Sequence, residues 1–223
     1  MADLLSPTTT VREVFLKATS RGDLVTARHL LAIGADPNWR SSNTSLLPDP
    51  SWSSLHVAAC YENEELLDLL LDQPAIEVNM KTELQKTPLM MACVCGKTKS
   101  VKKLLQVADI EVNSEDQFGG TALHVAARYS FLSGIVGCVQ LLSQDPRVDI
   151  NHKDTDGTTP LMSCLELARV EMAKILLANP KVEVHTRNKE GKNAEDIARL
   201  VFIVLFNIYS PWITQLYLFF ETL

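Results

Sequence analysis

A short motif recurs along this 223-residue chain at a nearly constant interval, and that interval constrains the architecture more than anything else in the sequence. The copies are Ser54-Leu55-His56-Val57-Ala58-Ala59, Pro88-Leu89-Met90-Met91-Ala92-Cys93, Ala122-Leu123-His124-Val125-Ala126-Ala127, Pro160-Leu161-Met162-Ser163-Cys164-Leu165 and Ala194-Glu195-Asp196-Ile197-Ala198-Arg199. Their fifth column holds a small residue at 58, 92, 126, 164 and 198, so the spacings are 34, 34, 38 and 34. A second mark keeps the same phase, an aliphatic pair followed by a loop and Asn or His: Leu70-Leu71 to Asn79, Leu104-Leu105 to Asn113, Leu141-Leu142 to Asn151, and Leu176-Leu177 to His185. It falls 23 residues after the His/Met column in three units and 27 after it in the third, which carries an insertion around Phe131-Leu132-Ser133-Gly134. A degenerate earlier unit opens the series, with Ala18, Gly22-Asp23-Leu24, Leu30-Leu31 and Gly34-Ala35-Asp36-Pro37-Asn38.

Within each unit the local chemistry predicts helices. Thr87-Pro88, Thr159-Pro160, Thr121-Ala122 and Ser53-Ser54 each put a capping hydroxyl before Pro or a helix former at the first helical position. The small column permits close approach of neighbouring helices, and pairs such as Leu70-Leu71 and Leu104-Leu105 face a shared core. Such a unit cannot bury its apolar face alone, and stacked neighbours supply the missing surface. Removal of a middle unit is therefore expected to cost more than removal of an end one.

The repeated residues resemble the ankyrin repeat, roughly Asp-x-x-Gly-x-Thr-Pro-Leu-His-x-Ala followed by a second helix ending in Leu-Leu and a Gly-Ala-Asp-x-Asn turn. The best copy is Asn151-His152-Lys153-Asp154-Thr155-Asp156-Gly157-Thr158-Thr159-Pro160-Leu161. The resemblance implies an all-α ankyrin-repeat solenoid of stacked helix-turn-helix units with hairpin-like connecting loops. It covers residues 11–199, in units near 11–43, 51–83, 84–117, 118–155 and 156–189 and a partial one at 190–199, between an N-terminal extension, 1–10, and a tail, 200–223. It also implies that His56 and His124 are structural, each hydrogen-bonded to the neighbouring loop. Gly119, Gly157 and Gly191 occupy the turn column, where positive φ is cheap only for glycine. There are departures: Gln85 stands in that column and predicts a strained or differently shaped turn, Met90 and Met162 replace the histidine, and Arg40 to Trp52 adds about seven residues.

Composition removes several classes. A net charge of -6 without a basic run gives no electrostatic footprint for nucleic acid. Five dispersed cysteines, an odd number, do not form a secreted disulfide framework, and the first residues carry no secretory signal, so a cytoplasmic location is expected. Loops that cradle phosphate, His-Glu-x-x-His and Gly-x-Ser-x-Gly are all absent from the sequence. Cys93-Val94-Cys95 is the single close cysteine pair, and Cys93 falls in the column after the small residue, aligned with Ala59 and Ala127, which predicts packing rather than zinc ligation. His56 and Cys60, four apart on one helix, are likewise too few for a metal site. The expectation is a chain that is no enzyme and holds no cofactor or metal.

What remains is binding of a protein partner by a monomeric adaptor, scaffold or inhibitor. In the family that the sequence resembles, the concave face of hairpin tips and first helices meets the partner. Carried onto this chain, the tips are 80–83, 114–118, 152–155 and 186–189, and the first helices present Cys60 and Tyr61, Val94 and Cys95, Arg128 and Tyr129, and Glu166 and Leu167. The partner-binding candidates are Tyr61, Lys81, Glu83, Val94, Glu115, Phe118, Arg128, Tyr129 and Lys153, with a ridge of Tyr61, Val94, Arg128 and Tyr129 as the expected hot spot. The insertions at 40–52 and 131–134 are further candidates, or fold back on the stack through Trp52 and Phe131.

The tail departs from this grammar. From Leu200 to Phe220, 16 of 21 residues are apolar and none is charged, a length that matches the ~20 residues needed to span a bilayer. Arg187, Lys189, Lys192 and Arg199 precede it, as a cytoplasmic flank would. Asn207, Ser210-Pro211 and Thr214-Gln215 interrupt it. A membrane tether presenting the repeats, an atypical apolar cap and a variant terminus of a longer array are the three readings that the residues leave open.

Overall fold

The computed structural model describes residues 7–40, 51–61, 63–129 and 134–206. Eleven helices among these residues form five pairs and one unpaired element. They are α1 (Pro7–Arg21) with α2 (Leu24–Ala32), α3 (Ser54–Tyr61) with α4 (Glu64–Leu71), α5 (Pro88–Val94) with α6 (Thr98–Leu105), α7 (Ala122–Arg128) with α8 (Ile135–Gln144), α9 (Pro160–Glu166) with α10 (Val170–Leu177), and α11 (Ala194–Phe206). The first helices lie side by side in the order α1, α3, α5, α7, α9, α11, and the second helices α2, α4, α6, α8 and α10 form a layer behind them. This is the expected all-α solenoid.

The caps explain where the helices begin. Thr87 and Thr159 accept from the N–H groups of Met90 (3.3 Å) and Met162 (3.4 Å), with Pro88 and Pro160 at the first helical position. Asp23 and Asn63 do the same for α2 and α4, each at 3.0 Å from the N–H of Thr26 and Leu66. Where the third helical residue is histidine the pattern changes: the N–H groups of Ser53 and Thr121 donate to Nδ1 of His56 (3.1 Å) and His124 (3.2 Å).

Between the layers runs one continuous apolar core. Ala58, Ala92, Ala126 and Cys164 of the small column have no exposed surface, nor do Leu66, Leu70, Leu104, Leu142 and Leu176 of the second helices. Each fully buried leucine contributes roughly 2 kcal/mol of transfer free energy, and the short side chains of the small column are what let adjacent first helices approach. On the outside, Lys99 pairs with Glu64 (2.7 Å) and Lys103 with Asp68 (2.5 Å) across α4 and α6, solvent-screened contacts that add little to stability.

A stack of turns connects the units. The N–H groups of Gln85, Gly119, Gly157 and Gly191 donate at 2.9 Å to the carbonyls of Thr82, Asp116, Asp154 and Asn188, three residues earlier. The three glycines have φ of 70°, 73° and 76°, and Gln85 has 58°. The turn at Gln85 thus keeps its neighbours' shape, and the glutamine bears a left-handed conformation that a Cβ disfavours by roughly 1–2 kcal/mol. Gln85→Gly is accordingly expected to raise stability by about 1 kcal/mol in urea unfolding, net of the glycine's extra chain entropy. An unchanged or lowered midpoint would show that the turn is relaxed around glutamine.

The two insertions behave differently. Arg40 and Ser53 form an antiparallel bridge, which brings the ends of the first insertion together, and Trp52 is buried. It packs with Leu16, Val57, Cys60 and Met91 in a second apolar cluster, against which Trp39, Val94 and Cys95 also lie. Phe131, Leu132 and Ser133 of the other insertion lie outside the described residues. Its last residue, Gly134, has φ of 99° and directly precedes α8, and its carbonyl accepts from the Thr98 hydroxyl at 2.8 Å.

In α11 the sixth unit's first helix starts where the spacing places it, yet it has 13 residues against seven or eight in α3, α5, α7 and α9. It passes Arg199 without a break and is described as far as Phe206. No helix among the described residues is long and apolar enough to cross a membrane. The rest of the tail, 207–223, lies outside the described residues.

Candidate protein-binding face

The units are stitched by side chains as well as by packing. His124 Nδ1 faces the Thr121 N–H, and its Nε2 faces the Thr158 carbonyl of the next unit at 2.9 Å; His56 does likewise toward Lys86 O at 3.1 Å. A carbonyl only accepts, so Nε2 carries the proton and Nδ1 the lone pair, which is the neutral imidazole. Burial holds the His124 imidazole down at about 4, with the Thr158 carbonyl opposing. Each of the two rings thus faces a carbonyl of the next unit's loop. Met90 and Met162, which replace the histidine, fill the same buried position, and Met162 accepts only weakly from Thr159 N–H through sulfur at 3.5 Å.

The asparagine column does more than mark the phase. Asn38, Asn79, Asn113 and Asn151 each donate from Nδ2 to a carbonyl of the next unit's loop, at Ala75, Asp109, Arg147 and Lys181, over 2.6–2.8 Å. Each then accepts through Oδ1 from an N–H two residues further on, at Glu77, Glu111, Asp149 and Glu183, over 2.8–2.9 Å. The phased Asn was visible in the sequence, but its bidentate reach is set by a loop 30 or more residues away. The turns also stack directly, with the N–H groups of Gln117, Thr155 and Lys189 donating to the carbonyls of Leu84, Phe118 and Asp156.

On this frame the candidate residues fall into two groups. Phe118, Tyr61 and Tyr129 are 55%, 55% and 42% exposed, and Lys153, Glu83 and Glu115 also face solvent. Lys81 is half-buried and donates to the Glu115 carbonyl at 2.8 Å, while the Glu115 carboxylate lies 3.2 Å from His152 Nε2. Val94 is half-buried against the Trp52 and Met91 cluster, so the ridge of Tyr61, Val94, Arg128 and Tyr129 is interrupted there. Arg128 is bonded to the nearly buried carboxylate of Asp154, whose Oδ1 also accepts from the N–H groups of Asp156 (2.9 Å) and Thr158 (2.8 Å). That pair ties the α7 end to the next turn. Lys86 lies over the Tyr129 ring, 4.8 Å from its centre, and donates to its hydroxyl at 3.2 Å.

The residues that the spacing passed over are Leu84 (40% exposed) and Lys86; Leu167 (42%) stood among the helix positions but outside the candidate set. Leu84 and Phe118 occupy the same place in consecutive stacked turns, which is why they stand side by side although 34 residues apart. Desolvation holds the Glu166 carboxyl above its usual range; Arg128 opposes this, and Asp154 and Glu190 add to it. The face over units three to five therefore combines exposed aromatic and aliphatic surface with a fixed arrangement of Lys86, Arg128, Asp154 and Glu166. No group of three or more His, Cys, Asp or Glu among the described residues is placed to hold a metal ion.

Comparison with known proteins adds the family. The description "Ankyrin repeats (3 copies)" matches residues 15–116 and again 96–188. A putative E3 ubiquitin-protein ligase of Arabidopsis thaliana, XBAT31, is 31% identical over 70% of the chain. The target of rapamycin complex 2 subunit AVO2 of Saccharomyces cerevisiae is 26% identical over 93%, and the human SMC5-SMC6 complex localization factor protein 1 is 36% identical over 50%. The chain spans 34%, 46% and 10% of those proteins' own lengths. With the family pattern matched across most of the chain and the stacked helix pairs in place, the chain belongs to the ankyrin repeat family, whose repeats serve protein–protein interaction.

Proposed function

We propose that the chain is a non-catalytic interaction module, an adaptor, scaffold or inhibitor, which docks a protein partner on the turn tips and first-helix ends of units three to five. The observation that carries this reading is the set of large apolar side chains held exposed on that face, Leu84, Phe118, Tyr129 and Leu167. Aromatic residues on a rigid frame lose little entropy when a partner covers them, which is why they dominate interface energies. Over units one to three the corresponding surface is occupied by Trp52 and its cluster. One relative named as a complex subunit, from yeast, and one named as a complex localization factor support an adaptor role.

Capture of partners from a cell extract, quantified by mass spectrometry, tests this. The Phe118→Ala, Tyr129→Ala double variant is expected to weaken capture of a specific partner by at least about 30-fold, while its unfolding midpoint moves little because both side chains lie outside the buried core. Undiminished capture of every partner would remove this face from consideration. Tyr61→Ala, on the unit covered by the Trp52 cluster, is expected to have the smaller effect.

A further inference from the structure

Cys60 on α3 and Cys95 at the C-terminal cap of α5 stand on adjacent first helices. Cys60 is buried beside Trp52, Val57 and Met91, and Cys95 packs against the same cluster while remaining partly open to solvent. The Cys60 thiol donates to the Met91 carbonyl at 3.5 Å, and the same oxygen accepts the Cys95 N–H at 3.0 Å, so the two cysteines converge on one backbone acceptor. Cys60 is buried and Cys95 is not, so Cys95 is the sulfur that a small oxidant reaches. The neighbouring Cys60 side chain holds the Cys95 thiol below its ordinary value, and the Lys97 ammonium adds to this against desolvation. The remaining thiols differ: Cys93, Cys138 and Cys164 have no exposed surface, and burial pushes Cys164 up to about 12.

We propose that Cys95 and Cys60 form a peroxide-responsive dithiol, with Cys95 the attacking sulfur and Cys60 the resolving one. The Cys95 thiolate attacks one oxygen of hydrogen peroxide; the O–O bond breaks, the departing hydroxide takes up a proton as water, and Cys95 becomes a sulfenic acid. Cys60, releasing its proton, attacks the Cys95 sulfur, the S–O bond breaks, and a second water leaves. Two thiols and one peroxide thus give one disulfide and two waters, and a dithiol reductant reverses the change. The product ties α3 to α5 beneath the Trp52 cluster, so oxidation acts on the surface between Tyr61 and Val94 and leaves units four and five untouched.

The purified full chain, treated with a few equivalents of hydrogen peroxide and mapped without reduction, tests this. Cys93 and Cys95 share the tryptic peptide 87–97, so the cross-link is assigned in the Cys93→Ser chain. The expected result is a Cys60–Cys95 link in both the native and the Cys93→Ser chains. Cys60→Ser is expected to stop at a dimedone-reactive sulfenic acid on Cys95, and Cys95→Ser to give neither product. Iodoacetamide at neutral pH is expected to modify Cys95 at least about tenfold faster than Cys93 or Cys164. Equal alkylation rates, a link that survives in Cys95→Ser, or free Cys60 and Cys95 thiols after peroxide treatment of a chain that still melts as the untreated one would each overturn the assignment.

Discussion

Acidification from pH 7 to pH 4 is expected to remove about 3 kcal/mol of stability through His124 alone. Its imidazole titrates at 6.5 in the unfolded chain and at about 4 when buried against Thr158. Above pH 6.5 both states are neutral and the full stability is present. Between 6.5 and 4 the unfolded chain binds a proton that the folded chain refuses, so stability falls as pH falls, and below 4 this contribution is flat. His124→Met isolates the effect, because methionine already fills the equivalent place at Met90 and Met162. The variant loses the bond to the Thr158 carbonyl and starts about 1–2 kcal/mol less stable at pH 7, without the acid-dependent loss. Urea unfolding at several pH values should therefore show the two stability curves crossing between pH 6.5 and 4. Parallel curves would show that His124 is not held neutral.

Gly134→Ala is expected to be at least as damaging, by about 3 kcal/mol or more, with a melting temperature lowered by roughly 6–12 °C. A Cβ there would lie 2.2 Å from the Gly96 carbonyl oxygen, a contact no side chain can make, and φ of 99° compounds the strain. Gly191→Ala is the control, for it has similar positive φ but no heavy atom within 4 Å of the added carbon. That change is expected to cost only about 1–2 kcal/mol. Equal melting temperatures for the two variants would mean that the loop before α8 moves away from Gly96 at little cost.

The repeat spacing made the fold legible because every copy reports the same packing constraint: Ala58, Ala92, Ala126 and Cys164 are small where helices touch. Threonine caps and the inter-unit role implied for His56 and His124 were legible for the same reason. Relations between units were not. Nothing local in Cys60 points to Cys95, 35 residues away, and the helical neighbour His56 was the partner that sequence proximity brought forward; in the fold its ring faces Ser53 and the Lys86 carbonyl. Val94 holds a ridge position on its helix, but it packs against the cluster to which Trp52 of the inserted segment belongs. Arg128 looks free in the sequence because its partner Asp154 belongs to the following turn. Leu84 drew no attention as one leucine in a loop, and gains meaning only when the turn beside it sets Phe118 at its flank.

The asparagine and histidine columns reach toward the C-terminus, while the stacked turns reach back by their N–H groups. During synthesis each carboxamide is therefore made before the loop that will receive it. The newest unit stays incomplete until roughly one further repeat, about 34 residues, has followed. Folding of such a chain trails translation by one step, and each arriving loop finishes the unit before it.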